Sequence, residues 1–158
     1  MILGVFGPSQ LIGLAFIIII LAGVILLSVF YLLNLQNLLK QIKPVNRQVE
    51  PGNVWLMFIP LFNIIYPFIL YPKITDSVKL EMESRGMAEQ GDYGRGIGIA
   101  LPILGLCGII PVIGTLASIA NLVLFIIFWV KMAGYKTKLM TSSPGQGVVG
   151  SDSDLLDK

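Results

Sequence analysis

The sequence has no histidine and a single cysteine, Cys107, among its 158 residues. Without histidine, the Ser-His-Asp and Cys-His catalytic arrangements and histidine-rich metal sites are excluded. One cysteine cannot form an internal disulfide. We therefore expect no enzymatic activity, no metal site and no cofactor.

Charge is scarce as well. Asp, Glu, Lys and Arg make up 13% of the chain, whereas soluble domains contain about 25%. Apolar residues reach 55% and the mean hydropathy is +0.83. A net charge of +2, spread along the chain, gives no basis for nucleic-acid binding. The composition predicts an all-α integral membrane protein with one membrane domain over residues 1–140.

The first apolar run extends from Leu11 to Leu33 without a charge. Its length of about 23 residues exceeds the ~20 that a transmembrane helix needs. No basic segment precedes the run, and it is too long for the core of a cleaved signal peptide. We interpret residues 11–33 as a retained membrane span.

The helical pattern continues beyond this span as far as Pro44. Apolar residues then recur at the spacing of one helix face, namely Leu35, Leu38, Leu39 and Ile42. This amphipathic stretch has two interpretations. It packs against the protein's own helices, or it lies on the membrane surface with the basic residues Lys40, Lys43 and Arg47 toward lipid phosphates.

The second apolar stretch, residues 54–71, is interrupted by proline. Pro60 and Pro67 each remove a backbone donor, and Asn63 lies between them. Irregular backbone at membrane depth is tolerated only where protein or a water-filled cavity surrounds it. Trp55 at the start of the stretch is a residue type that prefers the membrane interface. The stretch is therefore either a kinked full span or a re-entrant segment.

The third apolar stretch covers residues 96–130 and carries no charge. As one helix its roughly 35 residues would exceed 50 Å, well beyond a hydrocarbon core of about 30 Å. The turn residues 111–114 predict a hairpin of two spans, 96–110 and 115–130. Asn121, the one strongly polar side chain of the second arm, suits an interhelical hydrogen bond, or alternatively the lining of a transport path.

The positions of Lys and Arg favour one topology. Residues 34–53 carry three of them, residues 72–95 carry four and the chain after residue 130 carries four, with none at the N-terminus or in the hairpin turn. Basic segments near spans favour the cytoplasm. Three full spans with a re-entrant 54–71 segment, N-terminus outside and C-terminus inside, place all eleven basic residues on the cytoplasmic side. Four spans, the alternative, divide them between both sides.

Two further segments are polar. Residues 73–85 predict an amphipathic cytoplasmic helix in which Glu81 and Arg85 form an i,i+4 pair on a solvated face, ended by Gly86. Residues 141–158 are rich in Ser, Gly and Asp and contain too few apolar residues to pack. We predict that this tail is disordered.

The segment from Pro51 through Trp55, Pro60, Asn63 and Pro67 to Ile74 resembles a signature of uncharacterised small bacterial membrane proteins. That resemblance implies a location in the bacterial inner membrane and brings no activity or catalytic residue. The N-terminal arrangement, a span followed by a basic amphipathic helix, is also similar in architecture to small subunits of twin-arginine translocases.

Two functions are consistent with these features. The first is a non-catalytic accessory or scaffold subunit that binds a partner through its cytoplasmic face, the partners being the lipid bilayer and either a second copy or another integral membrane protein. The second is an oligomeric small transporter or channel that uses the broken Pro60–Asn63–Pro67 segment, since discontinuous elements often form substrate sites.

Overall fold

The structure, a computed structural model, describes residues 7–111 and 113–142. Every regular element within these residues is a helix, which confirms the all-α prediction. The α-helices are α1 (Pro8–Lys40), α2 (Phe62–Ile65), α3 (Pro67–Ser84), α4 (Arg95–Cys107) and α5 (Gly114–Thr141), and 3₁₀ helices cover Pro44–Asn46 and Pro51–Phe58. The chain divides into two compact units, the first ending at Leu33 and the second beginning at Asn34. The predicted disordered tail lies outside the described residues from 143 onward.

The first unit contains the apolar part of α1. Pro8 occupies the first helical position, where its missing N–H costs nothing, and the Gly7 N–H donates to Gln10 Oε1 at 3.1 Å. Every side chain from Ile12 to Leu27 is exposed. A helix that is apolar on all sides without a protein partner is typical of a membrane span.

Two helices, α1 and α5, are long and apolar enough to cross a membrane by length and composition. The third apolar helix, α4, has 13 residues. At 1.5 Å per residue it measures about 20 Å, which is shorter than a hydrocarbon core of about 30 Å. The structure therefore contains two candidate spans.

The second unit begins with the last turns of α1. Leu35, Leu38 and Leu39 have no exposed surface, and Ile42 just beyond the helix is 1% exposed. The amphipathic stripe is therefore part of the protein core, and its contacts agree with the first interpretation.

Proline breaks the second apolar stretch at one place and begins a helix at another. Ile59, which precedes Pro60, is extended (φ −81°, ψ 118°), so the 3₁₀ helix ends at Phe58. Pro67 instead occupies the first position of α3. The predicted helix over residues 73–85 corresponds to the later turns of α3, which begins earlier, at Pro67, and ends at Ser84. Arg85 caps the helix, and Gly86 follows with a positive φ of 69°.

The predicted hairpin corresponds to α4 and α5, which pack against each other, and α4 also packs against α3. The contact requires a glycine, because a Cβ on Gly98 would lie 3.0 Å from Tyr71 Cβ and 3.3 Å from Phe128 Cε2. At the turn, a Cβ on Gly114 would lie 2.4 Å from the Gly108 carbonyl oxygen. Small residues therefore set the spacing of the two arms.

Candidate functional site: a polar layer around Glu81 and Arg85

Three charged segments of the second unit contact one another across long separations in sequence. They are residues 34–50, 73–95 and 131–142, and we call them the polar layer. Lys136 Nζ donates to Asn34 Oδ1 at 2.8 Å over 102 sequence positions. Glu89 and Lys138 form an ion pair. The last turns of α1 and α5 and the region around α3 therefore meet in one place.

The centre of the polar layer is the carboxylate of Glu81 in α3, which has no exposed surface. Its Oε2 accepts hydrogen bonds from the Lys43 N–H at 3.0 Å and from Asn46 Nδ2 at 2.7 Å. Its Oε1 accepts from Arg85 Nε at 2.7 Å. The prediction of a solvated face is thus wrong for Glu81, because residues 43–46 fold over this side of α3 and supply donors to the carboxylate.

Arg85 joins the ends of two other helices to this carboxylate. Its NH1 donates to the carbonyl oxygens of Leu139 at 2.8 Å and Ser142 at 2.9 Å, and its NH2 donates to that of Gln41 at 2.7 Å. These carbonyls lie at the carboxyl ends of α5 and α1, where intrahelical partners are missing. Each guanidinium nitrogen is therefore engaged inside the polar layer.

The surroundings of Glu81 determine its charge state. Burial raises the pKa of Glu81, but hydrogen bonds from Asn46, Arg85 and the Lys43 N–H, together with the charge of Arg85, outweigh burial and hold the pKa below its ordinary value of 4.5. The carboxylate is ionised at neutral pH and its oxygens are occupied. These contacts suit a structural anion rather than a general acid or base.

Arg47 also binds backbone carbonyl oxygens at the carboxyl end of α1. Its Nε donates to the Leu39 carbonyl oxygen at 3.1 Å and its NH2 to that of Ile42 at 2.9 Å. Its NH1 lies 3.3 Å from a carboxylate oxygen of Glu50. Arg47, one of the three basic residues that the alternative prediction placed toward lipid phosphates, stabilises the carboxyl end of α1.

Lys40 and Lys43, the other two basic residues of that prediction, are exposed. Neither ammonium group forms a hydrogen bond or an ion pair with a described residue. Both cations are therefore available to an external anion.

Asp92 organises the glycine-rich segment before α4. Its carboxylate accepts hydrogen bonds from the N–H groups of Gly94 at 2.9 Å and Gly96 at 2.7 Å, and Lys131 Nζ lies 3.8 Å away. The two backbone bonds lower the pKa of Asp92 below its ordinary value. The segment is an ordered turn that caps the amino end of α4.

The residues of the proline motif do not converge on one site. Trp55 Nε1 donates to Gln36 Oε1 at 3.4 Å. Pro60 and Asn63 are exposed, whereas Pro67 is buried. The Asn63 side chain forms no hydrogen bond within the part of the chain that the structure describes. The motif thus interrupts the helical structure at Pro60, and the polar side chain of Asn63 is exposed.

An apolar groove of about 240 Å³ follows the break. Its lining consists of Leu61, Phe62, Ile65, Tyr66 and Ile69. Such a surface suits hydrocarbon, and it offers little to an ion or a polar solute.

Asn121 lies in α5 opposite Gly105 of α4, where a Cβ on the glycine would be 3.8 Å from Asn121 Nδ2. Its Oδ1 is buried and accepts no hydrogen bond from a described residue. Asn121 therefore lies near the other arm of the hairpin, but its Oδ1 accepts no interhelical hydrogen bond from a described residue.

Reasoning from sequence missed the cluster of Glu81, Arg85 and Asn46. The i,i+4 spacing of Glu81 and Arg85 is visible in the sequence. The other hydrogen bonds of Arg85 go to backbone carbonyl oxygens, and because every residue has one, the sequence does not indicate which of them Arg85 binds. Among the described residues no group of three or more Cys, Asp or Glu side chains could hold a metal ion.

Comparisons of the chain with models of protein families, with curated proteins and with solved structures find no match. The interpretation of the polar layer therefore depends on its own contacts and charges.

Proposed function

We propose that this chain is a small, non-catalytic membrane protein that acts as an accessory or scaffold subunit and binds a partner through the polar layer. The observation that carries the proposal is the mutual contact of the three charged segments. Groups that hydrogen-bond to one another cannot lie on opposite sides of a hydrocarbon layer about 30 Å thick. The contacts of Arg85 with Gln41 and Leu139 therefore favour one aqueous side for all three segments.

The contacts among the three charged segments also indicate how residues 54–71 are placed in the membrane. Residues 54–71 connect Arg47, in the first charged segment, to α3, which carries Glu81. If both ends of this connection lie on one side, the connection enters and leaves the membrane by that side. The break at Pro60 and the apolar groove beyond it support such a re-entrant segment.

The same proposal includes three membrane crossings. The exposed apolar part of α1 supplies one, and the two arms of the hairpin supply the others. The first arm, α4, is short, so Arg95 at its start extends toward the headgroups or the bilayer thins locally. All eleven basic residues then lie on the cytoplasmic side of a bacterial inner membrane, with the N-terminus outside.

The buried charged side chains of the polar layer already form hydrogen bonds within the protein, which supports a binding role rather than catalysis. Glu81 and Arg85 are saturated by structural bonds, and Asp92 is held by two backbone N–H groups. The outer surface of the polar layer nevertheless exposes an apolar side chain, Val45, at 86%. A partner protein can use that surface without disturbing the buried bonds.

Site-specific photo-cross-linking in native membranes tests the accessory function. A photoreactive residue replaces Val45, and a matched one replaces Ile19, which is 68% exposed on the apolar part of α1. We expect one adduct of defined mass from position 45 that persists when the membrane is diluted with lipid. Monomer and lipid adducts alone from both positions, together with a monomeric mass in detergent, would contradict the proposal.

A transporter or channel is the second candidate, because the break at Pro60 leaves Asn63 exposed beside irregular backbone. The apolar lining of the neighbouring groove disfavours a path for polar solutes. Flux into liposomes by the wild type that is lost in Asn63→Leu, with Asn121→Leu as the comparison variant, would replace the accessory function with transport.

A further inference from the structure

A cleft of about 380 Å³ opens between the carboxyl ends of α1 and α5. Four cationic side chains line it, those of Lys40, Lys43, Arg47 and Arg85, and no Asp or Glu does so among the described residues. Leu139 and Met140 form its apolar wall.

The cleft keeps an excess of positive charge after its neighbours are counted. Buried Glu81 neutralises Arg85. Glu50 neutralises Arg47, and the carboxyl ends of α1 and α5 contribute about half a negative charge each. Lys40 and Lys43 add two positive charges that have no ion-pair partner among the described residues, so the cleft keeps a net positive charge of about one.

Three of the residues that line the cleft have donors left unused. Lys40 and Lys43 have no partner among the described residues, and Arg47 retains N–H groups beyond the three that it uses. Arg85 has none to offer, so it holds the two walls of the cleft together. Three cationic donors around an open cleft match the several acceptor oxygens of a phosphate group.

We propose that this cleft binds a phosphate group, carried either by an anionic phospholipid or by a free phosphate, through Lys40, Lys43 and Arg47. The apolar wall of Leu139 and Met140 accommodates the carbon skeleton next to the phosphate. The site is independent of the accessory function, since it needs no protein partner.

Calorimetric titration of the full chain in a non-ionic detergent tests the site. The probes are inorganic phosphate, dioctanoyl phosphatidic acid and, as the neutral comparison, dioctanoyl phosphatidylcholine. The test variant is Lys40→Gln/Lys43→Gln. The matched control is Lys73→Gln/Lys79→Gln, which removes the same charge from exposed positions of α3 outside the cleft.

We expect saturable binding of phosphatidic acid at one site, at least about tenfold weaker in the Lys40/Lys43 variant and unchanged in the control. If inorganic phosphate also binds, and binds more weakly to the Lys40/Lys43 variant, a free phosphate is sufficient for the site. If only phosphatidic acid binds, the ligand is a lipid headgroup. The proposal is overturned if neither phosphate probe saturates, if phosphatidylcholine binds equally, or if the control variant loses as much affinity. Equal melting temperatures of both variants establish that each is folded.

Discussion

At the scale of single residues, the unusual feature is a buried ion pair in a chain with so little charge. Removing two charges from water is costly, and a buried pair adds stability only when its remaining donors and acceptors are satisfied. Here Asn46 and the Lys43 N–H satisfy the carboxylate, and backbone carbonyls satisfy the guanidinium. The pair thereby determines where the ends of α1 and α5 lie relative to α3.

Glu81→Gln should destabilise the protein by about 3 kcal/mol at neutral pH, because Arg85 then keeps a buried charge without its counterion. Chemical unfolding in detergent, followed by circular dichroism, measures the change. Glu83→Gln is the matched control, since Glu83 is exposed and its pairing distance to Lys79 is 3.9 Å. That variant should change stability by at most about 0.5 kcal/mol. Equal effects of the two substitutions would contradict the structural role of Glu81.

The depressed pKa of Glu81 predicts a pH dependence of stability. Because the folded-state pKa lies below the ordinary value of 4.5, the unfolded chain takes up a proton first as the pH falls. The stabilisation is complete above the unfolded-state pKa and disappears as the pH falls through the folded-state pKa. Unfolding free energies measured from about pH 6 downward should decline in this window. The decline should be weaker in Glu81→Gln, and identical slopes would contradict the prediction.

At the scale of elements, periodicity and proline positions predicted much of the fold. The stripe of Leu35, Leu38 and Leu39 is buried as one helix face, and Pro60 interrupts the second apolar stretch. The burial of Glu81 was not predictable, because a Glu-Arg pair at i,i+4 looks the same on a solvated helix. Its surroundings come from residues 43–46, whose path over α3 is set by tertiary contacts.

Gly98→Ala should destabilise the packing of α3, α4 and α5. The added Cβ would lie 3.0 Å from Tyr71 Cβ, and overpacking of this kind costs about 1–3 kcal/mol, more than the gain of about 1 kcal/mol in helix propensity. Gly134→Ala in α5 is the control, since no atom lies within 4 Å of its new Cβ. Melting temperatures in detergent should fall for the first variant and stay level or rise for the second. A rise in both would show that α4 can move away from Tyr71 at no cost.

At the scale of the whole molecule, the three segments that carry most of the Lys and Arg residues are also the segments that meet in the polar layer. The distribution of Lys and Arg along the sequence predicts one side of the membrane for the three charged segments, and we propose the same arrangement from the contacts of Arg85, Lys136 and Lys138.

Cysteine accessibility on either side of residues 54–71 tests the central claim most directly. In a chain carrying Cys107→Ser, single cysteines replace Val45 and Lys79, both exposed, and a membrane-impermeant maleimide is applied to spheroplasts and to inverted vesicles. The account predicts that both positions react in inverted vesicles and neither reacts in spheroplasts. Reaction of the two positions from opposite sides of the membrane would contradict it.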